Sequence, residues 1–199
     1  MRDKYGAEHD KYCYQGTDVL INKLNIRDAD LLAEAETAFT TQRYLEYSSE
    51  VTDLNQLDFN HFKSLHYHLF QDLYKWAGQI REIDISKGNT RFCNISRIEP
   101  EAEKLFRSIP ELVNQPQTSL IPALADLFCE INLLHPFREG NGRTLRFFFE
   151  ELVFLLGYDI HWPRIPQQDW IEANIAGVGL NLTPLIDIFE AAIFIDKQK

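Results

Sequence analysis

The residues best suited to do chemistry stand in one run, His135-Pro136-Phe137-Arg138-Glu139-Gly140-Asn141-Gly142-Arg143-Thr144-Leu145-Arg146. Pro136 disfavours helical dihedrals at the residue before it, so a preceding helix ends at or near His135. The next helix starts around Gly142, because Leu145, Phe148, Phe149, Leu152, Leu155 and Leu156 then form one apolar stripe. Gly140 and Gly142 admit close backbone approach, and amides at the positive end of a helix dipole make an anion site. Arg143 and Arg146 share a helix face near that end, where two guanidinium groups repel each other unless an anion sits with them; a polyphosphate fits. Glu139 offers a carboxylate for Mg²⁺ bridging phosphate oxygens. His135 is the group able to take a proton from a hydroxyl near neutral pH. A helix C-terminus favours the charged imidazole, whereas Arg138, Arg143 and a metal ion oppose it; the opposing influence is expected to prevail in the filled site. Singly, a His before Pro, a Gly-Asn-Gly turn and an arginine pair are ordinary structural features, and Phe137 is a core anchor on either reading. Their concentration in one segment makes chemistry the better reading.

The elements that must position this run are mainly helical. Apolar spacing predicts helices over Asp28 to about Tyr47, about Asp58 to Trp76 with Gly78 marking its end, about Glu99 to Leu112 with Pro110 dividing it, and Leu120–Leu134. Further helices are expected over Asn141–Leu156, Gln167–Ala176 and Thr183–Asp196, with Pro116 and Pro122 bracketing a loop. Between about residues 80 and 98, Ile83 and Ile85 alternate with Glu82, Asp84 and Ser86 and lead into Lys87-Gly88-Asn89-Thr90, the one credible β-hairpin. Residues 1–26 form a polar arm ending in a short apolar helix candidate at Val19 to Leu24. No repeat, low-complexity tract or linker divides the chain, so residues 1–199 read as a single domain, a helical bundle carrying one hairpin.

Composition bounds what the bundle can bind. The 199 residues carry 20 Lys+Arg against 30 Asp+Glu, a formal charge of −10, which argues against nucleic acid or anionic membranes as partners. The positive charge is gathered in the run above, through Arg138, Arg143 and Arg146. Cys13, Cys93 and Cys129 are three and far apart, which suits reduced thiols rather than a disulfide framework. The first residues lack a signal peptide's apolar stretch, and Phe147 to Leu156 and Phe189 to Ile195 are interrupted by Glu150, Glu151 and Glu190, so a soluble cytoplasmic protein is expected.

The run resembles the Fic motif, His-x-Phe-x-(Asp/Glu)-Gly-Asn-Gly-Arg-x-x-Arg, at every specified position. Tyr12-x-Tyr14-x-Gly16-Thr17 with Asn22-Lys23-Leu24 resembles the N-terminal region of Fic toxins, and Trp76-Ala77-Gly78 followed by Arg81 the segment before their hairpin. The resemblance covers nearly the whole chain, least distinctively after Gly157. It implies a helical Fic fold that moves AMP from ATP to a protein hydroxyl. His135 would be the general base, Glu139 the Mg²⁺ ligand, and Gly140, Asn141 and Gly142 the anion hole. Arg143 and Arg146 would hold the outer phosphates. Asn174 would lie in the adenine pocket, and Lys87, Gly88, Asn89, Thr90, Arg91 and Phe92 in a flap that seats the target by strand addition. Many members carry their own inhibitory helix with (Ser/Thr)-x-x-x-Glu-(Gly/Asn). No Ser or Thr here is followed four residues on by Glu. The implied regulator is therefore a separate small antitoxin protein, and the implied target an ATPase subunit of DNA gyrase or topoisomerase IV.

Two enzymatic alternatives remain open, phosphoryl transfer from the γ-phosphate and transfer of UMP, alongside a non-catalytic nucleotide-binding protein. Doc-like motifs lack the second arginine, which Arg146 supplies here. His61, His66 and His68 are a weak metal candidate, since His66 and His68 point to different helix faces. Cys129 reads as inert core, and Gly177-x-Gly179 lacks the rest of a dinucleotide fingerprint.

Overall fold

The computed structural model describes residues 10–194. Seven helices in this span carry the architecture: α1 (Ala29–Glu46), α2 (Phe59–Phe70), α3 (Ile98–Arg107), α4 (Gln117–Leu134), α5 (Asn141–Leu155), α6 (Gln167–Val178) and α7 (Thr183–Ala192). Two antiparallel two-stranded pairs accompany them, β1 (Ser86–Lys87) with β2 (Thr90–Arg91), and β3 (Asp159–Ile160) with β4 (Ile193–Phe194). Side-chain caps fix where the first helices start. Asp28 accepts from the Leu31 amide and Asp58 from the His61 amide, each satisfying a donor that the first turn leaves open. Pro110 opens a 3₁₀ segment, Ile109–Asn114, just after α3, so it divides the element as its geometry requires.

Helix α5 is the axis of the molecule, packed between α2 and α4, and α4 in turn meets α3, α6 and α7. Phe62, Phe128, Phe137, Phe148, Phe149 and Phe189 are all essentially excluded from water and form a continuous aromatic core. Ring pairs such as Phe62–Phe148 and Phe128–Phe189 meet edge to face. Gly177 lets α6 approach α4, since a Cβ there would lie 2.7 Å from Cys129 Sγ. Cys129 is buried, and burial pushes its thiol up to about 11, which keeps it inert.

Several boundaries differ from expectation. Helix α2 stops at Phe70 rather than Trp76, and residues 71–78 turn so that Leu73, Tyr74 and Ala77 enter the core. Val19 to Leu24 is not helical; Leu20 bridges to Cys13, and Asn22 uses its side chain to hold the Leu20 and Ile26 carbonyls. Pro122 lies inside α4, not in a loop. The hairpin's pairing is confined to β1 and β2, because Arg81, Ile83 and Asp84 are tied to other partners. Helix α7 ends at Ala192 and the chain pairs with β3, a second strand pair that no alternation in the sequence announces. Residues 195 and 196 of the expected helix, and residues 1–9 of the arm, lie outside the described residues. On α1, Leu32 and Thr40 face inward while Leu31 and Phe39 are exposed.

Candidate active site

His135 caps α4 in the left-handed conformation, φ 44° and ψ 58°, which turns the chain sharply into Pro136. Its Nδ1 lies 3.0 Å from the Asn132 carbonyl. A carbonyl only accepts, so Nδ1 carries the hydrogen and Nε2 holds the basic lone pair. The ring stacks on Phe92 from the flap, centroids 3.7 Å apart. Burial, the largest influence, pushes its pKa down to about 3, against the upward pulls of the Asn132 carbonyl and Glu139, with Arg81 and Lys87 adding to the fall. The imidazole is thus neutral at pH 7, as a base requires, but desolvation is the chief cause rather than Arg138 and Arg143.

Both of those arginines are engaged elsewhere. Arg138 is buried and donates through Nε to Asp10 Oδ2 at 2.6 Å, an ion pair that pins the N-terminal arm to the loop. Arg143 donates through Nη2 to Glu36 Oε2 of α1 at 2.5 Å, with its guanidinium over the Phe70 ring. Glu36 also accepts from the Tyr74 hydroxyl. Arg146 is different. It stacks over Trp170 but has no hydrogen bond or ion pair among the described residues, and burial and Arg143 both depress its pKa.

Gly140 takes φ 82°, and a Cβ there would stand 2.3 Å from Phe70 Cζ, so the loop closes onto α2 only with glycine. The first amides of α5, on Asn141, Gly142 and Arg143, have no carbonyl earlier in the helix to bond, which makes this end an anion site. The Asn141 side chain does not join it. Its Oδ1 accepts from Phe137 N–H at 2.9 Å and its Nδ2 donates to the Phe137 carbonyl at 2.8 Å, so it braces the loop and leaves only its amide to the expected anion hole. Glu139 is half-buried beside the loop, its Oε1 accepting from the Gly140 amide at 3.0 Å.

These groups converge on one cavity of about 790 Å³. It is bordered by His135, Glu139, the Gly140–Arg143 segment and Arg146, by Lys87, Thr90 and Phe92 of the flap, and by Asn174 and Trp170 of α6. Asn174 Nδ2 donates to the Trp170 carbonyl at 2.8 Å, while its buried Oδ1 has no partner. Of the other expected flap residues, Gly88 has φ 57° and makes the turn with Asn89, and Arg91 is exposed on β2.

Two buried residues hold the loop in ways that the sequence did not announce. His66, fully buried, accepts from Gly78 N–H at Nδ1 (2.8 Å) and donates from Nε2 to the Glu139 carbonyl (3.0 Å), with its ring 3.8 Å from that of Phe137. His61 goes instead to Glu151 and His68 to the Arg43 carbonyl, so the three histidines make no shared site. No cluster of metal-binding side chains occurs among the described residues. Arg81, also buried, donates to the carbonyl of His135 itself. The signal in the sequence was Trp76-Ala77-Gly78 followed by Arg81, but nothing local named their partners.

Comparison with known proteins identifies the family. The Fic/DOC family pattern matches residues 56–153. The chain is 38% identical over 198 residues to the probable protein adenylyltransferase Fic of Escherichia coli (strain K12), covering 97% of this chain and 96% of that one. It is 35% identical over 175 residues to the protein adenylyltransferase VbhT of Bartonella schoenbuchensis, covering 86% of this chain and 36% of that longer protein. Among solved structures, the N-terminal Fic domain of a VirB-translocated Bep effector from Bartonella quintana, with bound ADP, superposes with a TM-score of 0.83 at 25% identity over 94% of this chain and 95% of that one. The BepC protein of Bartonella tribocorum, with bound AMPPNP, has the same fold, TM-score 0.83 at 24% identity, over 94% of this chain and 97% of that one. The chain belongs to the Fic/DOC family. Within it, this protein is an enzyme of the nucleotidyltransferase class, a protein adenylyltransferase. Among the described residues no helix is long and apolar enough to cross a membrane.

Proposed function

We propose that the enzyme transfers AMP from ATP to a hydroxyl side chain of a bacterial protein, with His135 as general base. The observation that carries this is the convergence of a neutral, tautomerically fixed imidazole with a helix N-terminus and an uncompensated Arg146 in one cavity. The acceptor oxygen attacks the α-phosphorus and its proton passes to Nε2. The bond from that phosphorus to the bridging oxygen breaks, and the electron pair leaves with pyrophosphate. The amides of Asn141, Gly142 and Arg143 receive the phosphates, Arg146 balances the outer charge, and the free Asn174 Oδ1 accepts from the adenine amino group. That acceptor would not suit the carbonyl which uracil offers at the same edge.

Glu139 fits Mg²⁺ as a single carboxylate beside the anion site, because Mg²⁺ is commonly held by one or two carboxylates together with substrate phosphates rather than by a protein cage. When bound, the ion would neutralise phosphate charge. The flap residues Lys87 to Phe92 present the acceptor segment by strand pairing beside the His135 ring. On the same reading, the target is an ATPase subunit of DNA gyrase or topoisomerase IV, modified on a tyrosine. A separate small helical antitoxin holds the enzyme silent in the cytoplasm, since no inhibitory motif occurs in the chain.

The test uses a bacterial lysate with ATP labelled at the α- or at the γ-phosphate. Protein labelling from the α-label alone, lost in His135→Ala while nucleotide binding persists, supports the reading. Labelling from the γ-phosphate would establish phosphoryl transfer instead. Expression without any co-encoded partner should arrest growth, and harmless accumulation of folded protein would refute the antitoxin role.

A further inference from the structure

Arg81 is a buried cation with no buried anion. It is 2% exposed, and its nearest carboxylate, Asp84, stands 3.7 Å away on the surface. Sequestering a guanidinium in this way is costly, and an apolar side chain of similar volume often leaves a protein more stable. What the group touches accounts for its presence. Nε donates to the His135 carbonyl at 2.8 Å, Nη1 to the Ile83 carbonyl at 2.6 Å, and Nη2 to the Cys93 carbonyl. The Arg81 amide donates to the Pro136 carbonyl at 2.8 Å. Ile83 lies just before β1 and Cys93 just after β2, so one rigid planar fork joins both roots of the flap to the residue that carries the base.

The contact also bears on the base's own conformation. His135 is a non-glycine residue at positive φ, a state that persists only where its surroundings impose it. The bond to its carbonyl fixes the peptide plane on one side, and the Asn132 carbonyl fixes the ring on the other. A lysine could not reproduce this, because an ammonium on a flexible stem lacks the diverging coplanar donors.

We infer that Arg81 is a positioning residue for the transfer reaction: it sets the distance from the flap edge, where the acceptor segment lies, to Nε2 of His135. The inference rests on reading His135 as the base. Arg81 does not border the nucleotide cavity, so its loss is felt by the acceptor and not by ATP. Arg81→Lys and Arg81→Met should bind a non-hydrolysable ATP analogue as the wild type does, by calorimetry. Transfer of α-labelled AMP to the protein that the wild type labels most strongly should fall about 100-fold, the scale of a small misplacement of reacting groups. Amide exchange at Cys93, bonded to the Leu133 carbonyl, should accelerate while the interior of α5 stays protected.

Wild-type transfer rates in Arg81→Met would overturn the inference. So would a parallel loss of nucleotide affinity, which would mark Arg81 as a general support of the fold. If the wild type labels no protein at all, the proposed function fails, and the exchange measurement still judges Arg81: a Cys93 amide equally protected in Arg81→Met refutes the clamp.

Discussion

Replacing Gly140 by alanine separates backbone strain from steric exclusion at the centre of the site. The added methyl would stand 2.3 Å from Cζ and 2.4 Å from Cε2 of Phe70, whose ring is fully buried and packed against His66. An L-residue in the left-handed region costs about 1–2 kcal/mol. Forcing a methyl into a packed core costs about 1–3 kcal/mol. Against these, alanine restricts the unfolded chain and recovers about 0.4–1 kcal/mol. The sum is a destabilisation on the order of 1–5 kcal/mol. Gly16→Ala is the control, because Gly16 has φ 74° but a Cβ there would meet nothing within 4 Å, so it carries the backbone part alone. Urea unfolding of the two variants should place Gly140→Ala lower than Gly16→Ala by about 1–3 kcal/mol, the steric part. Calorimetry should find ATP affinity reduced in Gly140→Ala only, since its shift re-aims the first amides of α5. Equal stability in the two variants would refute the claim that Phe70 forbids a side chain there.

Three further outcomes are expected. His66→Leu strands two buried backbone groups, the Glu139 carbonyl and the Gly78 amide, at about 1–3 kcal/mol each, and denaturant unfolding measures the loss. Stability should also fall as pH is lowered from about 6.5, the unfolded histidine value, toward the folded value of about 3 shared by His66 and His135. Across that window the unfolded chain binds more protons, so each histidine removes on the order of 1 kcal/mol per pH unit; a flat profile from pH 7 to 5 would contradict the assignment. If Arg146, which stacks over Trp170 in the cavity, addresses the outer phosphates as proposed, Arg146→Ala should weaken ATP binding about 10- to 100-fold, the scale of a charge-assisted bond, and AMP binding far less. Equal losses for the two nucleotides would place Arg146 elsewhere in the site.

What the sequence determined by itself is the local chemistry. Pro136 ended α4 at His135, the stripe from Leu145 to Leu152 began α5 where it had to, and the run from His135 to Arg146 held an imidazole, a carboxylate and three arginines across the connecting loop and the first turns of α5. These follow from dihedral preference and periodicity, which act over a few residues and can be read in order along the chain. The partners of those groups were decided by the tertiary structure. Arg138 is neutralised by Asp10, Arg143 by Glu36, and the Asn141 side chain is spent on Phe137, so of the motif's expected phosphate-binding side chains Arg146 alone has no partner among the described residues. The neutrality of His135 arises from burial beneath Phe92, and its carbonyl is held by Arg81, more than fifty residues earlier in the chain. Burial and pairing across such separations depend on which helices pack together, and no spacing in the sequence encodes that directly. The acidic balance of the chain has the same character: it was legible as a total, but only folding showed which carboxylates meet the motif's arginines and which arginine is left without one.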